Sequence, residues 1–253
     1  WLAFFADLLV SAAQYGIRKM RGGAYCAWAY LLLGIFGCAA VLLVSLLPSI
    51  PLRRRALHVL GIWLFRLAGV RLEISGLEPI ANGAARIITA NHASYADVLV
   101  LTAALPPVFA CVAKKEFARN PAAHFLFARI GTLFVERFSA EESISDAEVM
   151  IQAVNQGSTV LIFPEGTFCD ASNMLPFKLG AFTTAARTGA AILPVAVSGT
   201  RKLLRPEQWF VRRTAVRVTG GTLLKAQDAG WDAVLALRNA AFQEIERLMH
   251  RPD

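Results

Sequence analysis

Apolar positions fall along this chain in three regimes. Leu2, Phe5, Leu8, Leu9 and Ala12 recur at helical spacing and lead into a basic end, Arg18, Lys19 and Arg21. Residues 1 to about 23 therefore read as an amphipathic helix, either an interfacial anchor or a partner for the next helix. From Gly22 to Leu52 no residue is charged, and Ala27 to Leu47 is apolar almost throughout. A run of this length can cross a bilayer core as a helix of ~20 residues; a buried core helix is the alternative. A second aromatic and aliphatic helix is expected over Ala56 to Ala68. From about Arg71 the period changes. Short apolar runs at 86–90, 108–113, 133–136, 159–163, 192–197 and 215–219 alternate with helical stretches near 96–104, 116–130, 143–156, 180–188 and 232–249. That alternation predicts an α/β unit with a mixed, largely parallel sheet flanked by helices. Two parts are expected: a membrane-associated helical segment over 1–70 and an α/β domain over 71–253.

Charge sharpens the division. The net charge is +8. The first 71 residues carry eight Lys/Arg and one acid, Asp7, so nearly all of the excess sits on the apolar N-terminal part. Arg18, Lys19 and Arg21 precede the charge-free run and Arg53, Arg54 and Arg55 follow it. This suits an anionic membrane surface and argues against nucleic acid, which calls for Lys/Arg spread over a polar face. Basic residues on both flanks leave the orientation open, as they do the choice between one spanning helix and a monotopic hairpin turning near Pro48-Ser49-Ile50-Pro51. Cys26, Cys38, Cys111 and Cys169 have no metal-ligand spacing and read as free thiols in a reducing compartment; no metal site is expected. A start at Trp1 rather than Met is expected of a piece of a longer protein.

The candidate chemistry lies where strand-like runs end. Of His58, His92, His124 and His250, only His92 has both a strand before it and a carboxylate close behind, in Asn91-His92-Ala93-Ser94-Tyr95-Ala96-Asp97. A neutral imidazole can take a proton from a hydroxyl, and a carboxylate can hold its tautomer. Five positions apart on one helix the two side chains would point ~140° away from each other. To cooperate, His92 and Asp97 must straddle a strand end and a turn. Phe163-Pro164-Glu165-Gly166-Thr167 follows another strand-like run, and its Pro and Gly mark a sharp turn that presents a carboxylate. Gly131-Thr132-Leu133-Phe134-Val135-Glu136-Arg137 ends in an arginine, and Ile192-Leu193-Pro194-Val195-Ala196-Val197 is an apolar strand interrupted by proline.

In this order and spacing the blocks resemble the glycerolipid acyltransferase family, whose best-known members are the 1-acylglycerol-3-phosphate acyltransferases. The matching stretches are Asn91-His92-x4-Asp97, Gly131-x-x-Phe134-Val135-Glu136-Arg137, Phe163-Pro164-Glu165-Gly166-Thr167 and Leu193-Pro194-Val195. Pro176-Phe177-Lys178-x-Gly180-Ala181-Phe182 adds a fifth, and the likeness covers roughly residues 70–220. It implies that His92 is the general base and Asp97 its orienter. It implies further that Arg137 binds the acceptor phosphate, that Glu165, Gly166, Thr167 and Lys178 help place the acceptor, and that Pro194 shapes the site or the acyl passage. The expected reaction moves a fatty acyl group from coenzyme A or acyl carrier protein to the free hydroxyl of a lysolipid, with 1-acylglycerol 3-phosphate as the first acceptor. No cofactor is expected, and the thiolate leaving group removes the need for a serine or cysteine nucleophile. Soluble thioesters are intracellular, so the resemblance implies an inner-membrane protein whose catalytic part faces the cytoplasm. After Thr167 comes Phe168-Cys169, where many relatives carry arginine or a small polar residue. That leaves the phosphate to Arg137, Lys114, Lys115 or Lys178, or else the acceptor is another lysolipid, such as a lysophospholipid or a lyso-amino-acid lipid. A thioesterase or lipase, in which water replaces the lysolipid, is disfavoured because no G-x-S-x-G surrounds any serine. A non-catalytic membrane module within a larger fusion is the remaining rival.

Overall fold

The computed structural model describes residues 2–84, 86–135, 140–167, 173–205 and 208–250, with side chains described from Gly22 onward except at 117, 122, 123 and 140–146. Helix α1 runs unbroken over Leu2–Leu46. The amphipathic stretch and the apolar segment are thus one helix, because no proline interrupts the period between them. The side chains that would make residues 1–21 an interfacial anchor lie outside the described set. Within α1, Gly22–Leu46 is long and apolar enough to cross a membrane, with mean hydropathy 2.4, and little of it is buried. Pro48 turns the chain. Ser49, extended at φ −125°, opens α2 (Ile50–Leu67), and Pro51 sits in the first turn, where a missing N–H costs nothing. This second helix begins six residues earlier than the apolar pattern suggests, because the arginines of its first turn are not a polar start.

Their guanidinium groups are engaged with backbone. Arg53 donates to the carbonyls of Leu47 and Arg129 at 2.9 and 2.8 Å, and Arg54 donates to Ile130 at 2.9 Å. Arg129, at the end of α5 (Pro121–Arg129), donates to Val44 and Ser45, both at 2.9 Å. Carbonyls of a last helical turn have no partner inside their own helix. Three arginines therefore tie the ends of α1 and α5 to the start of α2. The basic cluster after the apolar run is in part an internal clamp, and only Arg55 of its three residues is exposed.

Among the described residues the sheet has seven strands: β1 (Leu72–Ser75), β2 (Ile87–Ala90), β3 (Phe109–Lys114), β4 (Leu133–Val135), β5 (Thr159–Ile162), β6 (Ile192–Ser198) and β7 (Val216–Gly220). Their order is β1-β7-β6-β2-β5-β3-β4. All neighbours are parallel except β6 and β7, so the sheet is mixed and largely parallel, as the sequence predicts. Strand β1 escapes the hydrophobic pattern because its Leu-Glu-Ile-Ser is too short and too polar at an edge to register. The helical stretch expected over 116–130 is split: a 3₁₀ turn covers Lys115–Arg119, and α5 starts at Pro121. The residue before a proline is pushed out of the helical region, and Asn120 has ψ 115°.

Successive strand residues face opposite layers. Ile88, Ala90, Leu161, Leu193, Val195 and Val197 enter one core, shared with α2 and α4 (Ala96–Ala104). Ile87, Val160, Ile162, Ile192 and Ala196 enter the other, covered by α7 (Gly180–Thr188) and α9 (Trp231–Met249), with α6 (Ala140–Asn155) alongside. On the first face α2 and α4 lie close together: a Cβ on Gly61 would come within 3.0 Å of that of Ala103. Leu32 and Phe36 pack α1 onto the same core. The hairpin of α1 and α2 is thus joined to the sheet layer that carries α4.

Candidate active site

Central strands β2 and β5 are adjacent and parallel, with Thr89 opposite Ile162. Their carboxyl ends therefore deliver Asn91-His92 and Phe163–Thr167 to the same edge of the sheet. Asn91 is buried, and its side chain is locked to the next strand. Its Oδ1 accepts the N–H of Val197 at 2.7 Å, and its Nδ2 donates to the Val197 carbonyl at 3.0 Å. This pins the chain where it leaves β2 and supports the turn, as its residue type suggests.

His92 then lies in the loop and Asp97 in the first turn of α4. His92 Nδ1 is 2.8 Å from Asp97 Oδ2. The five-residue gap is spanned across a strand-to-helix turn, as the cooperation of the two side chains requires. The same oxygen accepts the N–H groups of Ala93 at 2.6 Å and Ser94 at 2.8 Å. Asp97 is fully buried, and its other oxygen, Oδ1, has no hydrogen-bond partner among the described residues. An oxygen that already takes two backbone donors serves as an acceptor. Nδ1 therefore carries the proton of the neutral ring, and Nε2 carries the lone pair. An acidic group in a helix first turn is also favoured by the helix dipole. Phe163 stacks on the ring with centroids 4.1 Å apart, which fixes its plane. The sequence singles out the block containing Phe163 but gives no sign of this stacking. Ser94, also buried, donates from Oγ to the Leu204 carbonyl at 2.6 Å and accepts the N–H of Ala96 at 3.1 Å.

Glu165 is buried, and each carboxylate oxygen accepts one backbone N–H: Oε1 from His92 and Oε2 from Leu175, both at 2.7 Å. Burial pushes its pKa up, and the two backbone donors oppose that shift. Glu165 thus staples the His92 loop to the segment after the Pro-Glu-Gly turn. Gly166 has φ +76°, a left-handed conformation that favours glycine. A Cβ there would also meet the end of the Lys178 side chain at 3.0 Å. Lys178 is held beside it by its own N–H, which donates to the Pro164 carbonyl at 2.8 Å. Lys178 and Thr167 are exposed. Lys114 closes β3 and Lys115 follows it, two strands away from β2. Pro194 is buried within β6 opposite Thr89, below the strand ends rather than among the polar groups. Arg137 lies outside the described residues, as do Phe168 and Cys169.

A histidine with an oriented Nδ1, a buried carboxylate behind it and a glutamate-stapled loop, at the carboxyl ends of a parallel sheet, define an α/β protein equipped for general-base chemistry. The chain belongs to the acyltransferase family, whose model matches residues 71–198, about half of it. It is 32% identical over 188 residues to the 1-acyl-sn-glycerol-3-phosphate acyltransferase of Saccharomyces cerevisiae, covering 71% of this chain and 60% of that protein. It is 30% identical over 146 residues to the enzyme of the same name from Borreliella burgdorferi, covering 58% of this chain and 57% of that one. The matches thus span less than two thirds of these relatives' length. In fold it resembles the crystal structure of the 1-acyl-sn-glycerophosphate acyltransferase PlsC from Thermotoga maritima, with TM-score 0.73 over 93% of this chain and 99% of that one at 21% identity.

Proposed function

We propose that this protein is a membrane-bound acyltransferase that moves a fatty acyl group from an acyl-CoA or acyl carrier protein thioester to the free hydroxyl of a lysolipid, with 1-acylglycerol 3-phosphate as the preferred acceptor and phosphatidic acid as the product. The observation that carries the reading is the His92–Asp97 hydrogen bond. The names of the relatives support the acceptor. Residues 1–70 form the membrane-associated part and 71–253 the acyltransferase domain, which faces the cytoplasm, where soluble thioesters are found.

In this mechanism Nε2 of His92 removes the proton of the lysolipid hydroxyl as the oxygen attacks the thioester carbonyl. Asp97 stabilises the imidazolium that forms. The tetrahedral intermediate collapses with loss of the thiolate, which takes up a proton, and no covalent enzyme intermediate is needed. Glu165 acts as a positioning residue. Each of its oxygens accepts one backbone N–H, which sets the height of His92, and the acceptor capacity that remains can help place the acceptor. Gly166 and Thr167 shape the acceptor side, and Lys178 meets the phosphate there together with Arg137. Pro194 acts from within the sheet, on the shape of the floor.

The test is product analysis by mass spectrometry with a panel of lysolipids and both thioester donors. Phosphatidic acid from 1-acylglycerol 3-phosphate is the expected product. His92→Ala should lose at least ~10²-fold in rate with binding retained. A His92→Ala protein with the full rate refutes the mechanism. A different preferred lysolipid refutes the acceptor and leaves the mechanism standing.

A further inference from the structure

Ser94 stands in the chain between the base and its orienter, and it is bonded to the orienter twice through the main chain. Its N–H donates to Asp97 Oδ2 at 2.8 Å, and its carbonyl accepts the Asp97 N–H at 3.2 Å. The hydroxyl adds two further bonds. Oγ accepts the N–H of Ala96 at 3.1 Å and donates to the Leu204 carbonyl at 2.6 Å. The first N–H groups of a helix have no partner within it. Tyr95, the residue before α4, supplies no side-chain cap. Ser94 does that work instead, since the N–H groups of both Ala96 and Asp97 find their acceptors on it.

The Leu204 carbonyl is a firm anchor. Leu204 follows the short helix α8 (Thr200–Leu203) and donates its own N–H to the Thr200 carbonyl at 2.9 Å. The N–H of Arg212 closes on the neighbouring Leu203 carbonyl at 2.8 Å. Thr200 and Leu203 are buried. The Ser94 hydroxyl therefore ties the start of α4 to packed chain just beyond β6, the strand that also holds Asn91. The same geometry excludes Ser94 as a nucleophile. It is fully buried, and the proton a nucleophile would hand to His92 is given to Leu204.

We propose that Ser94 is a positioning residue for acyl transfer. Its hydroxyl, anchored on Leu204, holds the first turn of α4 so that Asp97 Oδ2 stays 2.8 Å from His92 Nδ1. The proposal rests on the reading of His92 as the base. Without the hydroxyl, the Ala96 N–H loses its acceptor and the turn loses its tie to Leu204. Asp97 then shifts with the helix start, and the ring it orients is misplaced for attack. Neither substrate touches the buried Oγ, so the loss falls on the chemical step.

The test compares Ser94→Ala, Ser94→Cys and Ser94→Thr in the full chain in detergent. Ser94→Ala should lower kcat ~10-fold and leave KM within ~2-fold. Cysteine is near serine in size and only a weak donor, so Ser94→Cys should share the loss and carries the comparison if the alanine variant does not fold. Ser94→Thr keeps the hydroxyl and should recover most of the rate. With isotope-labelled histidine, the His92 Nδ1 proton, assigned by its loss in His92→Ala, should give a resonance in wild type and Ser94→Thr that shifts or broadens in the other two. A lower melting temperature with kcat unchanged on folded protein makes Ser94 a helix cap alone and overturns the proposal. A fall in kcat with the Nδ1 proton undisturbed, or an equal loss in a folded Ser94→Thr, also overturns it. If His92→Ala keeps the full rate, the base itself is wrong. If His92→Ala is inactive and Ser94→Ala keeps its kcat, only the role of Ser94 falls.

Discussion

Glu165→Gln removes a charge and little volume, yet the geometry makes it costly. Each Glu165 oxygen accepts one backbone N–H at 2.7 Å, from His92 on one side and Leu175 on the other. A glutamine has a single carbonyl oxygen, so whichever way it turns, its NH₂ group faces one of those donors. The variant loses one hydrogen bond and leaves a buried N–H without a partner, a cost of about 1–3 kcal/mol. At roughly 2–4 °C per kcal/mol for a chain of this size, the melting temperature should fall by about 2–12 °C. If His92 is the residue that loses its acceptor, the ring shifts against Asp97 and the acyl-transfer rate falls ~10-fold or more. Glu165→Asp, a methylene shorter, should do no better, since it cannot span both donors.

The pH dependence has a defined sign. Burial raises the Glu165 pKa above its ordinary 4.5. Its contribution to stability is therefore fully present below about 4.5 and is lost as pH rises through the raised value. The glutamine lacks this titration, so the gap in melting temperature between the two proteins should be widest in acid and should narrow with rising pH. Thermal unfolding in detergent from pH 4 to 8, with rates at each pH, is the assay. A glutamine variant that melts within about 1 °C of wild type and keeps its rate would refute the staple.

Other expectations follow from single contacts. Asp97→Asn can keep its carbonyl on the Ala93 and Ser94 N–H groups but loses the charge that stabilises the imidazolium; kcat should drop ~10²-fold or more with KM unchanged in a stopped-time thioester assay, and an unaltered kcat would exclude the orienting role. Arg129→Ala removes both donors to the last turn of α1 and should cost on the order of 2 kcal/mol, read as lower thermal stability and faster proteolysis near Pro48; equal protease resistance would show that the clamp is idle. Glu244, which accepts from Arg247 and the Thr222 N–H, is held down to about 2. Its contribution is present above its ordinary 4.5 and lost as pH falls through about 2, so Glu244→Gln should lower stability by ~0.5–1 kcal/mol at neutral pH and by progressively less in acid titrations.

Much of this protein is legible in its sequence where a signal is local. The strand runs at 159–163 and 192–197 end within one residue of β5 and β6, and Ala96–Ala104 and Gly180–Thr188 are helical over those same bounds. A buried parallel strand is a continuous apolar run, and an amphipathic helix repeats every three to four residues; both are properties of neighbours in the chain. The pairing of His92 with Asp97 is equally local, since a turn of five residues is short enough for residue type and spacing to specify it.

The tertiary structure alone decided what depends on residues far apart. Glu165 reads as an exposed turn carboxylate, and burial beside the N–H groups of His92 and Leu175 makes it a staple. Arg53 and Arg54 read as charges for a membrane surface, and orphaned carbonyls at the ends of α1 and α5 claim their donors. Trp209 carries no motif, and only packing holds its backbone to α1 and its ring to Tyr95. The physical reason is common to all three. A side chain's type states what it can bond, but which buried backbone groups lack partners is known only once strands and helices have packed. The sequence by itself therefore determined the architecture and the pairing of His92 with Asp97; which groups hold that pair in place was settled by packing.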